Sequence, residues 1–156
     1  MRMKYWLYWA AFAALACGIS VPPAEAAFWR SQPQGGGPKY VVIDKSQQTL
    51  RAYEGSRVVL ETRISTGRRG RETPNGHFRA QSKSLMHYSR LYGNAPMPYS
   101  VQIAGNYFIH GFFSVPDHPA SHGCIRVPLS GSNPARQFYD WVEPGTPVAI
   151  VGAWRS

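Results

Sequence analysis

The sequence predicts a mainly β, single-domain fold with one α-helix close to its C-terminal end. Three observations predict it. β-Branched and alternating segments recur from Lys39 onward, turn residues separate them at short intervals, and one clear 3.6-residue apolar period follows Asn133. Once an N-terminal leader is set aside, about 130 residues remain, enough for one core-bearing domain and hardly two.

The chain opens on MRMK, a short basic stretch, followed by the apolar run YWLYWAAFAALACGIS and then VPPAEAA. Ala24-Glu25-Ala26 gives small residues at both recognition positions of an export signal, so residues 1–26 read as a signal peptide cut after Ala26. The run is shorter than the roughly 20 residues of a bilayer span, and Pro22-Pro23 ends it. A retained membrane helix and lipidation of Cys17 are the alternatives. The expected location is the periplasm or cell envelope. Residues 27–38, with Gly35-Gly36-Gly37, read as a flexible leader, 39–152 as the folded domain and 153–156 as a tail.

KYVVID is rich in β-branched residues and reads as the first strand. TLRAYE alternates, with Leu50 and Ala52 on one face and Thr49, Arg51 and Tyr53 on the other; Glu54-Gly55-Ser56 turns it into RVVLETRIS, so 48–65 reads as a hairpin. Pro74-Asn75-Gly76 precedes a short strand in GHFRA. SVQIAGNYFIHG is a second hairpin, bending at Gly105-Asn106, and PVAIVG is the last strand. The helix lies in SNPARQFYDWVEPG. Ala135, Phe138 and Val142 share one face, Asn133 is placed to cap, Pro134 suits the first turn, and Pro144-Gly145 stops it. Packed on the sheet, it would brace the cysteine segment just before it.

Charge narrows the partners. The chain has 17 Lys and Arg against 8 Asp and Glu, with Arg68, Arg69 and Arg71 clustered. For an exported protein this points to electrostatic contact with acidic wall polymers or a membrane surface rather than nucleic acid; solubility alone is the plainer explanation.

Removing the signal leaves Cys124 as the sole cysteine, in ASHGCIRVP. One cysteine makes no internal disulfide, and packing is the default role of a buried one. Its neighbours suggest more. A thiol reacts as thiolate, and an imidazole supplies this by taking its proton. Of five histidines, His110, ending NYFIH, and His122, two places before the cysteine, can serve. Gly123 lets a carbonyl approach the backbone, where the Gly123 and Cys124 amides can hold an oxyanion. In an extended segment Arg126 projects to the same side as Cys124 and can hold a carboxylate. A zinc site of His110, His118, His122 and Cys124 is the competing arrangement, without an H-E-x-x-H frame or the spacing of structural sites.

YFIHG followed by SHGCIRVP resembles the signature of the L,D-transpeptidase catalytic domain, also called the YkuD domain. His110 and Cys124 stand fourteen positions apart, and Ser121-His122-Gly123-Cys124-Ile125-Arg126 matches position by position. VVIDKSQQTLRAYEG, STGRRGRETPNGHF and ARQFYDWVEPGTPVAI are similar to other family segments, so the resemblance covers about 39–152. Val127, where Leu or Met is frequent, and the lack of an attached wall-binding module are departures.

The resemblance implies a YkuD-type β-sandwich with no metal or cofactor. It implies that Cys124 is the nucleophile and His110 its general base and acid, oriented by the Gly111 carbonyl. His122 and Ser121 would shape the pocket, the Gly123 and Cys124 amides would form the oxyanion hole, and Arg126 would bind substrate. Met97 and Tyr99, in a segment similar to the family's lid and groove, are groove candidates, with ordinary packing the alternative. The implied substrate is the peptidoglycan stem peptide, acylated onto Cys124 and passed to an amine. Transfer to water, attachment or detachment of a wall protein, and a non-catalytic wall-binding module are the other readings.

Overall fold

The computed structural model describes residues 36–153. The signal segment, Cys17, the leader up to residue 35 and residues 154–156 lie outside the described residues. The described chain runs β1 (Lys39–Asp44), β2 (Thr49–Glu54), β3 (Arg57–Arg63), β4 (Gly76–Arg79), β5 (Lys83–Ser89), β6 (Ala95–Ala104), β7 (Tyr107–Phe112), β8 (Ile125–Pro128), α1 (Pro134–Trp141) and β9 (Pro147–Val151).

Two sheets result. One has the order β3-β2-β1-β9-β4, the other β5-β6-β7-β8. Alternation sorts the side chains: Val41, Ile43, Leu50 and Ala52 are buried, whereas Tyr40, Val42, Arg51 and Tyr53 take the outer face. Val148 and Ile150 of β9 join them, and Val101, Ile103, Ile109, Ile125 and Val127 of the second sheet complete one shared core. Among the described residues, the expected mainly β domain with one helix is what forms. Both expected hairpins are present: β2–β3 turns through Gly55 at φ 61°, and β6–β7 through Gly105 at φ 45°.

α1 begins where the sequence places it. Asn133 Oδ1 accepts from the Arg136 N–H at 3.1 Å, and Pro134 occupies the first turn. Ala135 and Phe138 are buried against β6, β7 and β8. Gly111 of β7 permits this approach: a Cβ there would lie 2.4 Å from Leu129 Cδ2 and 3.2 Å from Ala135 Cβ. Trp141 Nε1 donates to Glu54 at 3.0 Å and ties the helix end to the other sheet.

Two strands and half of a third escape the sequence pattern. β5 is an edge strand with Leu85, Met86 and Tyr88 exposed, so no buried face stamps a period on it. The first half of β6 carries Pro96 and Pro98, which argue against a strand. They are tolerated because this half pairs with β5 alone; pairing to β7 begins at Val101. β8 is only four residues long and is paired on both sides, parallel to β7 and bridged to Ser65.

Candidate active site

The parallel pairing of β7 and β8 builds the site. His110 lies opposite Arg126, with Ile109 and Ile125 opposite each other one step back. Pleating sends Ile109, Ile125 and Val127 into the core, so His110, Phe112 and Arg126 share the other face. Cys124, just before β8, joins them. His110, Phe112, Cys124 and Arg126 line one cavity of about 170 Å³, together with Met97, Ser121 and His122. Joining two parallel strands takes a crossover of about a dozen residues, and here that crossover carries the SHGC segment.

His110 is 5% exposed, and its Nδ1 lies 3.0 Å from the Gly111 carbonyl oxygen. A carbonyl only accepts, so Nδ1 carries the proton and the lone pair belongs to Nε2. Burial lowers the imidazole's pKa from 6.5 to about 4; the Gly111 bond opposes this, and the Arg126 and His87 charges add to it. At neutral pH the ring is uncharged. Burial also pushes the Cys124 thiol up, against smaller lowering effects of the Phe108 backbone and Arg126. Its Sγ lies 3.5 Å from the Asn106 carbonyl. Thiol and imidazole are therefore both neutral at rest. Arg126 sits with its guanidinium carbon 4.2 Å from the centre of the Phe112 ring, a cation–π contact that holds the charge beside the cavity.

The cysteine loop is tied by small polar residues. Ser121 Oγ donates to the Cys124 carbonyl at 2.5 Å and accepts from the Gly123 N–H at 3.1 Å. Gly123 has φ 120°, and a Cβ would meet the Tyr107 ring at 3.1 Å, so glycine is needed. Behind the loop runs the segment after β3. The Ala120 and Ser121 N–H groups donate to the Thr66 carbonyl, Ser65 pairs with Arg126 in both directions, and Thr73 Oγ1 donates to the Gly123 carbonyl at 2.8 Å.

The sequence-predicted residues fall into place unevenly. Cys124, His110, His122, Ser121, Arg126 and Met97 line the same cavity, with Gly111 and Gly123 contributing backbone. His122 is exposed at the rim: its ring lies 4.6 Å from that of Tyr92, whose hydroxyl donates to its carbonyl. Burial, with Arg68, Arg126 and Arg71 adding, lowers its pKa too. Tyr99 lies outside this cavity. It lines an adjoining hollow that shares Pro96 and Phe112 with the cavity, and its ring packs 5.9 Å from Tyr139. Period two puts Met97 and Tyr99 on one face, but Tyr99 has φ 54°, and a left-handed residue breaks the alternation. Of the two amides expected to hold an oxyanion, that of Gly123 is occupied by Ser121. His118 pairs with Asp117 instead of joining the cavity, and among the described residues no three His, Cys, Asp or Glu side chains gather as metal ligands.

Several residues around the loop were not singled out from the sequence. Tyr92 lines the cavity beside Cys124, and Ser65, Thr66 and Thr73 support the loop from behind. The signal that could have found Ser65, Thr66 and Thr73 is their place in STGRRGRETPNGHF, the segment similar to the family's; nothing in the sequence marks Tyr92.

Comparison with known proteins bears on the family and the fold. The family model for the L,D-transpeptidase catalytic domain, YkuD, matches residues 38–150. No curated protein matches the chain. Among solved structures, an L,D-transpeptidase from Stackebrandtia nassauensis shares the fold at 24% identity with a TM-score of 0.68, covering 80% of this chain and 62% of that one. One from Xylanimonas cellulosilytica is 31% identical, with a TM-score of 0.63, covering 84% and 70%. One from Enterococcus faecium is 27% identical, with a TM-score of 0.61, covering 74% and 50%. The chain spans only about three-fifths of the first structures it matches, 62%, 59% and 60% of their lengths.

Proposed function

This chain belongs to the family of L,D-transpeptidase catalytic domains, and on that premise we propose that it is a cysteine-dependent L,D-transpeptidase acting on peptidoglycan stem peptides. The observation that carries the proposal is a single cavity lined by a thiol, a buried imidazole whose Nδ1–H is committed to Gly111, and a cation.

A stem tetrapeptide enters with its terminal carboxylate near Arg126. Cys124 Sγ bonds to the carbonyl carbon of the residue before the terminal D-residue, and the thiol proton passes to His110 Nε2. The proton then goes to the leaving nitrogen as the C–N bond breaks, and the D-residue departs. An amine of a neighbouring stem peptide attacks the thioester, forms the new amide and returns a proton, through the imidazole, to the sulfur. Because thiol and imidazole both rest neutral, the proton moves as the carbonyl is attacked and not from a standing ion pair. Met97 forms an apolar wall, His122 and Tyr92 a rim, and Ser121 sets the shape of the loop. The domain works after export, in the periplasm or envelope, where its basic surface favours acidic wall polymers.

The test is intact-mass analysis of the protein with a donor tetrapeptide. Wild type should gain the mass of an acyl group and release the D-residue; Cys124→Ala should do neither. A carbapenem should add to wild type and not to Cys124→Ala. Release of the D-residue by Cys124→Ala, or no adduct on wild type from either reagent, would overturn the reading. Release without a cross-linked product would identify water as the acceptor.

A further inference from the structure

Beneath the cysteine loop lies a polar network that the reaction as written does not use. Thr73 is fully buried, 0% exposed, yet its hydroxyl is fully occupied. It accepts from the Gly67 N–H at 2.9 Å, so its single proton is the one donated to the Gly123 carbonyl at 2.8 Å. Its own carbonyl accepts from the buried Lys45 ammonium at 2.9 Å. Gln48, also buried, accepts from the Thr66 N–H at 2.8 Å and donates to Thr66 Oγ1 at 2.8 Å and to the Lys45 carbonyl at 2.7 Å. Thr66 then receives the Ala120 and Ser121 amides, each at 3.0 Å. Burying this much polarity is costly unless every group is paired, and a paired network is rigid.

What this rigidity controls follows from the peptide bond. The Gly123–Cys124 bond is planar and trans, as are the described bonds generally, so the Gly123 carbonyl and the Cys124 N–H point in opposite directions. Anchoring the carbonyl to Thr73 fixes the heading of that N–H. The Gly123 N–H is already held by Ser121, which leaves the Cys124 N–H, on the same residue as the sulfur, as a donor for a developing oxyanion. Gly123, at φ 120°, lacks the side-chain restraint that would otherwise hold the peptide plane.

We propose that Thr73, held by Gly67 and Lys45, is a positioning residue that aims the Cys124 amide at the oxyanion formed during acyl transfer. The inference rests on the acyl-transfer reading above. It distinguishes two kinds of attack on the same sulfur. Acylation by a carbonyl compound builds an oxyanion and needs the aimed amide; alkylation by iodoacetamide builds none and does not.

The experiment compares these two rates, by intact mass, in wild type, Thr73→Val, Thr73→Ala and Thr73→Ser, using a carbapenem and iodoacetamide. Losing an oxyanion donor outright costs about 10²–10³-fold, so misaiming one should slow acylation by about 10-fold or more in Thr73→Val and Thr73→Ala. Alkylation should stay within about twofold, since the thiol and His110 are untouched. Thr73→Ser keeps the hydroxyl and should acylate like wild type. Equal acylation by wild type and Thr73→Val would overturn the inference alone, as would equal loss of both reactions, which marks a merely structural role. If Thr73→Val does not fold, the Ala and Ser variants decide: a folded Thr73→Ser that has lost acylation refutes it. A wild type that alkylates but never acylates would instead sink the proposed function, and the inference with it.

Discussion

Consider acidification of the folded protein. His110 is buried and neutral, with a pKa lowered from 6.5 to about 4. Between those values the unfolded chain binds a proton that the folded chain refuses. Stability therefore rises with pH across this window: it is fully present above about pH 6.5 and is lost as the pH falls towards 4. At about 1.4 kcal/mol per pH unit, the loss attributable to this one ring is about 3 kcal/mol, a large share of a small domain's stability. The assay is urea unfolding of wild type and His110→Gln at pH 7 and pH 4. The variant will be weaker at neutral pH but should lack this component. Wild type should lose about 3 kcal/mol more than the variant between the two pH values. Kinetics supply a second reading, because carbapenem acylation should decline only as pH approaches about 4, when the ring begins to hold a proton at rest. Parallel losses of stability in both proteins, or an acid limb near pH 6.5, would refute the claim that burial keeps this imidazole neutral.

Other consequences can be checked alongside. Arg126→Gln removes a charge that lowers the pKa of His110, so its acid limb should move to higher pH while KM for a donor with a free terminal carboxylate rises; an unmoved limb would show that the charge is not felt. Gly111→Ala places a methyl 2.4 Å from Leu129 Cδ2 and should cost about 1–3 kcal/mol in chemical unfolding, and a neutral result would mean that the helix shifts freely. Phe138→Ala empties a fully packed site under α1 and should cost about 3–5 kcal/mol, with a loss below about 1 kcal/mol contradicting the packing described. Asn133→Ala loses the helix cap and should cost about 1 kcal/mol, against a few tenths for Asn133→Gly, which tolerates φ 52°. Chelators should leave acylation unchanged while thiol alkylation abolishes it; chelator-sensitive activity would revive a metal site.

Much of this protein is legible along the chain because local chemistry decides it. Turn residues at Gly55 and Gly105, alternation in β2 and the Asn133-Pro134 cap act within a few residues of themselves, and each forms as its pattern predicts. The segment SHGC, with a histidine-glycine pair upstream, marks through its resemblance to the family signature where thiol chemistry is expected. Chain order does not say which imidazole shares its buried surroundings. His122, nearer in sequence, sits on the rim, while His110 is carried inward by the parallel pairing of β7 with β8, a contact between distant segments. The same kind of contact brings Ser65, Thr66 and Thr73 beneath the loop, and a single left-handed residue turns Tyr99 away. Periodicity records which face of a segment is buried, and nothing in it names the partner that does the burying. Register between remote strands, and the orphan polar groups it must satisfy, are settled only when the whole chain has packed.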